Sequence, residues 1–219
     1  TDAPERRTAS TNGTRPAPPQ TGRAAAAPAA GPPATGWGVP LAVLITGMFM
    51  SVLDLSIVNV AIPSIRRDLG ASIESVQWIS TAYSLTEGVM VPASAWLGAR
   101  FGLKRLYVAL IVLFTIASLL CALSTGLGGL IGFRILQAIP GGVLPVTCMT
   151  ILFRIVPKEK LGAAMGMYGL GIVVAPGIGP TLGGYLVEHT NWRVIFLINV
   201  PVGILGAIAA AIWLTKFPA

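Results

Sequence analysis

From Val39 onward the chain alternates long apolar runs with short polar joints. The runs lie at about Val39–Pro63, Ser75–Ala99, Leu106–Ser124, Leu127–Leu152, Leu161–Val187 and Val194–Leu214. Each is long enough to cross a hydrocarbon core of ~30 Å as a tilted helix. The joints are short, so consecutive helices should run antiparallel. The pattern predicts an all-α membrane protein in which residues 37–219 form a six-helix unit. Residues 1–36 break the pattern, with Pro4, Pro16, Pro18, Pro19, Pro28, Pro32 and Pro33 set among Ala, Thr and Gly. Such a segment cannot bury enough apolar area to fold. It also lacks the compact apolar core of a signal peptide. A disordered, Pro/Ala-rich tail on the cytoplasmic side is expected there.

Composition supports the membrane reading. The chain is 54% hydrophobic and 11% charged, against a charged share of about 25% in soluble domains. Fifteen bases outnumber eight acids. The bases fall between apolar runs, which points to membrane orientation and away from nucleic acid. With the N-terminus in the cytoplasm, the inner side holds eleven bases: Arg6, Arg7, Arg15, Arg23, Arg100, Lys104, Arg105, Arg154, Lys158, Lys160 and Lys216. The outer side holds three, Arg66, Arg67 and Arg193. Both termini are therefore expected in the cytoplasm. Trp37, Trp78, Trp96, Trp192 and Trp213 all fall near span ends, where an amphipathic ring prefers to sit. Cys121 and Cys148 lie within apolar runs and read as buried, reduced packing residues.

Three ionisable residues remain inside spans: Asp54, Glu87 and Arg134. A charge at that depth costs at least ~2.5–3.5 kcal/mol and marks a candidate functional site, the alternative being a structural charge satisfied by a neighbouring helix. Asp54 sits slightly outward of its span's midpoint and Arg134 in the outer half of the fourth span. At 1.5 Å per residue the two depths differ by only ~5 Å, so the two can pair. Gln137 shares a helix face with Arg134 at i+3. Glu87 belongs to a polar stripe of Ser80, Tyr83, Ser84, Glu87 and Ser94. That stripe should line a water-filled cavity or a helix contact.

The fifth span carries Gly171, Ala175, Gly179 and Gly183 at four-residue spacing, with Gly184 beside them and Pro176 and Pro180 between. Small residues at that spacing let two helix backbones approach closely in lipid, and the prolines invite kinks. His189 reads as a solvated residue of an outer loop, Glu188–Arg193. No Ser/His/Asp set, P-loop, dinucleotide fingerprint or zinc spacing occurs, so nothing argues for an enzyme, a cofactor or an ATP-driven pump.

Several segments resemble one known family. "LDLSIVNVAIP" (53–63), "RILQ" (134–137), "GPTLGG" (179–184) and "NWRVIFLINVPVG" (191–203) are similar to signature segments of the 14-helix drug:proton antiporters of the major facilitator superfamily, the EmrB/QacA type. The resemblance covers about residues 39–215. It implies that Asp54 and Arg134 serve proton coupling and that Gly179, Pro180, Gly183 and Gly184 form the antiporter motif used in alternating access. It likewise implies that Trp96–Gly102, with Arg100, Lys104 and Arg105, forms the cytoplasmic loop between the second and third helices. Ala99 stands where that loop usually carries Asp, and Ala138 where Gly usually follows Gln137.

The superfamily fold has two six-helix halves with the binding site between them. The six spans are therefore expected to be the N-terminal half of a longer transporter, partnered by a C-terminal half. The expected activity is efflux, at the plasma membrane, of lipophilic, often cationic drugs in exchange for protons. The proton gradient is the expected energy source, with no cofactor. Tyr83, Glu87, Gln137 and Asn59 are the expected substrate-cavity residues. Burial disfavours a charged carboxyl and a nearby Arg favours it, so an Asp54 whose contact with Arg134 changes between states can load and release a proton. Two alternatives stand beside this reading: a six-helix membrane binding or assembly protein, and a half-size transporter acting as a homo-oligomer.

Overall fold

The computed structural model describes residues 37–214. The expected tail lies outside them, as does Lys216. The described residues form seven α-helices, α1 (Gly38–Asp68), α2 (Ile73–Phe101), α3 (Leu103–Ala122), α4 (Leu127–Ile155), α5 (Leu161–His189), α6 (Val194–Leu197) and α7 (Asn199–Leu214), with a short 3-10 helix (Lys158–Lys160) before α5. No strand occurs among them. Helices α1, α3, α4 and α5, together with the run Val194–Trp213, are long and apolar enough to cross a membrane. Helix α2 spans 29 residues but carries Glu74, Glu87 and Arg100 among many Ser and Thr, which makes it the most polar of the long helices.

Two joints differ from the apolar edges. Between α2 and α3 only Gly102 is non-helical, at φ +77°, a left-handed backbone that glycine tolerates without steric cost. The expected cytoplasmic loop is thus a one-residue break, and Arg100, Lys104 and Arg105 lie on the helix ends flanking it. The sixth span is interrupted at Ile198. Pro201 has no N–H to donate to the Leu197 carbonyl, so the ladder loses a rung at that turn and α7 begins at Asn199.

His189 also departs from expectation. It is the last residue of α5, and its ring stacks on Tyr185 with centroids 4.2 Å apart. One further turn of helix, hydrogen-bonded from Thr190 back to Leu186, has absorbed the start of the outer loop. Trp192 lies just before the span Val194–Trp213, with its ring turned inward. It is 2% exposed, and its indole N–H donates to Asp68 at 2.8 Å. The same Asp68 oxygen accepts from Arg193 at 3.2 Å, which ties the end of α1 to the α5–α6 joint.

Helix pairing follows residue size. Helix α5 packs chiefly on α1, turning Ala164, Tyr168, Gly171, Ala175, Gly179 and Gly183 inward. A Cβ added at Gly179 would lie 1.9 Å from Ser56 Oγ, and one at Gly183 would lie 2.7 Å from an Ile57 side-chain carbon. Helix α2 packs chiefly on α4, where Gly141 and Gly142 have the same effect. Added Cβ atoms there would meet Tyr83 Oη at 2.2 Å and the Glu87 backbone carbonyl at 2.6 Å.

The buried apolar side chains form two clusters. One contains Leu44, Met48, Tyr107, Phe114, Leu144 and Cys148. The other contains Ile57, Ile65, Ile79, Leu130, Trp192 and Phe196. Along α1 the first ends at Met50 and the second begins at Ile57, and Asp54 lies between them. Ser118 occupies the corresponding gap on α3, and Arg134 and Gln137 occupy it on α4. A polar layer therefore crosses the bundle between two apolar ones.

Candidate functional site

The polar layer is fully enclosed. Asp54, Ser118, Arg134 and Gln137 are 0% exposed, and Asn199 is 3% exposed. Arg134 Nη1 donates to Asp54 Oδ2, forming a buried ion pair between α4 and α1. The other carboxylate oxygen, Oδ1, accepts from Gln137 Nε2 at 3.1 Å and from Asn199 Nδ2 at 2.9 Å. Gln137 ties the site together. Its Oε1 accepts from Arg134 Nη1 at 2.7 Å, while its Nε2 also donates to Ser118 Oγ at 2.6 Å. Cys121 Sγ approaches the same Gln137 oxygen at 3.7 Å.

A buried pair holds its charges only where the remaining donors and acceptors are satisfied. Asp54 meets that condition, with three donors on two oxygens. Arg134 does not: its Nε and Nη2 have no hydrogen-bond acceptor among the described residues. Rings stand near the guanidinium instead, Tyr83 with its centroid 3.9 Å from Cζ and Phe196 with its centroid 5.8 Å away.

The remaining expected site residues divide into three groups. Tyr83 and Gln137 join the buried layer. Glu87 is half-buried one turn further along α2, its Cγ 3.1 Å from where a Gly142 side chain would begin. Asn59 stays outside the layer: it is exposed and accepts from Ser80 Oγ at 2.7 Å, linking α1 to α2. The expected polar stripe on α2 is therefore not uniform. Tyr83 and Ser94 are buried, Ser80 and Glu87 intermediate and Ser84 exposed, because α4 covers one edge of the stripe only.

Gly179 and Gly183 face α1, with Gly184 at the margin of that contact and Pro180 exposed. None of them touches the ion pair. Gly102, Arg100, Lys104 and Arg105 lie at the α2–α3 break, remote from the polar layer in the chain order of both helices.

Sequence reasoning missed Asn199 and Ser118. Asn199 falls within the quoted segment "NWRVIFLINVPVG", where a lone amide between Ile198 and Val200 was the available signal. Ser118 gave less, since a serine in an apolar helix usually back-bonds to its own turn.

Residues 44–218 match the family model of the Major Facilitator Superfamily. The chain belongs to that superfamily. Among curated relatives it is 38% identical over 170 residues to YhcA of Bacillus subtilis, an MFS-type transporter of uncharacterised activity, covering 78% of this chain and 32% of that one. It is 44% identical over 181 residues to a Yersinia enterocolitica protein provisionally named multidrug resistance protein MdtD, covering 82% of this chain and 38% of that one. The chain thus spans about a third of the length of these relatives. Its fold matches, with a TM-score of 0.62 and 20% identity, the crystal structure of a bacterial homologue of the human lysosomal transporter Spinster in an inward-facing, unoccupied conformation. That match covers 81% of this chain and 42% of the other. Within this superfamily the chain is a multi-pass membrane protein, and the ion pair lies among its membrane-length helices.

Proposed function

We propose that this chain is the proton-handling half of a multidrug exporter of the 14-helix type, which exchanges protons for lipophilic, cationic small molecules at the plasma membrane. The observation that carries the proposal is the Asp54–Arg134 pair, buried between helices and held by Gln137 and Asn199. A carboxylate in such a place is costly unless something is gained from its charge. Its protonation would cancel one charge, weaken the bonds from α4 and α7 together, and so couple proton uptake to helix arrangement. Release would follow when Asp54 regains its contact with Arg134. A C-terminal six-helix half would complete the substrate cavity, with Glu87 and Tyr83 contributed from this side. Both termini would lie in the cytoplasm.

The multidrug-resistance name of the Yersinia relative supports the choice of substrate class. The test uses the full-length protein in vesicles carrying an imposed proton gradient. Addition of a lipophilic cation should release protons in the wild type and not in Asp54→Asn. Release from both proteins, or from neither, contradicts the proposal.

A further inference from the structure

Arg134 is a buried cation with two donors that no acceptor meets. The aromatic faces beside it belong to helices that differ from the one bearing its counter-ion: Tyr83 on α2 and Phe196 on α6. Phe196 is also 0% exposed and lies three residues before Asn199, which grips Asp54. Tyr83 is held in place by α4 itself. Its hydroxyl occupies the space left at Gly141, against α4. The ring, and not the hydroxyl, is therefore the part of Tyr83 that addresses the site.

We propose that Tyr83 and Phe196 form an aromatic clamp that keeps Arg134 in place when Asp54 takes up a proton, and that the Tyr83 ring thereby sets how readily the pair accepts that proton. An electron-rich ring face attracts a cation, more strongly when the cation is desolvated. While Asp54 is ionised, its charge offsets part of the attraction between the ring and the guanidinium. Once Asp54 is neutral, the ring meets a bare guanidinium and gains more. The ring thus favours the protonated state, and both rings are positioning residues. The titratable and charged groups facing the pair are Tyr83 and Glu87 from α2 and Cys121 from α3, while α7 presents the uncharged Asn199. Electrostatic interaction between Glu87 and both members of the pair makes Glu87→Gln a necessary background control.

This inference rests on the proton-coupling reading but is tested apart from transport. In the full-length protein the protonated carboxyl at Asp54 is followed against pH by its infrared C=O band, with Asp54→Asn as the blank. Tyr83→Phe keeps the ring and should titrate as the wild type does. Tyr83→Leu should move the midpoint to lower pH by about one unit, tenfold in proton activity. Leucine also changes the packing against Gly141, so a size-matched series follows: phenylalanine with one, two and three ring fluorines in place of Tyr83. Fluorine withdraws electrons from the ring face at nearly constant volume, and the midpoint should fall stepwise. A midpoint indifferent to fluorination, or a Tyr83→Phe shift as large as that of Tyr83→Leu, overturns the clamp. A stepwise shift in a protein that shows no drug-dependent proton release keeps the clamp and removes the transport reading instead.

Discussion

Helix α1 meets α5 along one face and α2, α4 and α7 along the other, and the two contacts are built by opposite means. Toward α5 the chemistry is absence. Gly179 and Gly183 let the backbones approach, and the fit depends on atoms that are not there. Toward α4 and α7 the chemistry is charge, with Asp54, Arg134, Gln137 and Asn199 joined in one hydrogen-bonded set. Helix α5 adds no side chain to that set. The first contact has no protonation state and can answer only to volume. The second has at least two states, because one proton changes how many of its bonds are charge-assisted. In the proposed transporter a rocking unit would use both kinds: a close neutral surface on which to move, and a bistable junction to say when.

The comparison can be broken from either side. The largest effect is expected from Arg134→Ala. Removing one member of a buried pair costs about 3–5 kcal/mol in soluble proteins, because the other charge is left behind. The variant should melt at lower temperature in detergent and lose coupled exchange. Arg134→Ala combined with Asp54→Asn should recover most of the melting temperature and none of the exchange.

Next comes the neutral contact. Gly179→Val should cost ~1–3 kcal/mol, the usual range for overpacking. Thermal stability should fall and exchange should slow at every pH alike. Ser56→Gly on the same background should restore part of both, since Ser56 Oγ is the atom that the new side chain would strike. A change in the pH dependence of exchange in Gly179→Val would mean that the two contacts are not separate in the way described.

A smaller effect is expected from Asn199→Ala. Interhelical hydrogen bonds in membranes average about 0.6 kcal/mol and reach about 1.7. The melting temperature should drop slightly, and coupled exchange should weaken because Asp54 has lost one of its three donors. Unchanged exchange would make Asn199 a packing residue only. Smallest in stability, but selective in function, is Glu87→Gln. Resistance to cationic drugs should weaken more than resistance to neutral ones, measured as growth inhibition by a matched pair. Equal loss for both would return Glu87 to a structural role.

What could be read from the chain differs between the same two contacts. The α1–α5 surface is one helix's four-residue spacing, a local pattern that sequence displays directly. The Asp54–Arg134 contact was readable because intramembrane charges are rare and their depths can be counted from span ends. Gln137 followed at i+3. Beyond that, the polar layer draws single residues from separate helices, and no spacing rule connects Ser118 or Asn199 to Asp54. Tyr83 was placed on a polar stripe, yet its ring rather than its hydroxyl meets Arg134, which only the rotation of α2 against α4 decides. The α2–α3 loop looked longer in sequence because charge lowers hydropathy without ending a helix. The break at Ile198 was hidden in an unbroken apolar run, although Pro201 three residues on carried its cause.

The most direct test of the central claim is a four-variant cycle in reconstituted vesicles: wild type, Asp54→Asn, Arg134→Ala and the double variant of the full-length protein, each assayed for protons released per drug added. If Asp54 and Arg134 act as one unit, both single variants lose coupled exchange and the double variant loses little beyond the worse single one. Full coupled exchange by Asp54→Asn would contradict the account, and so would losses in the two single variants that add independently in the double.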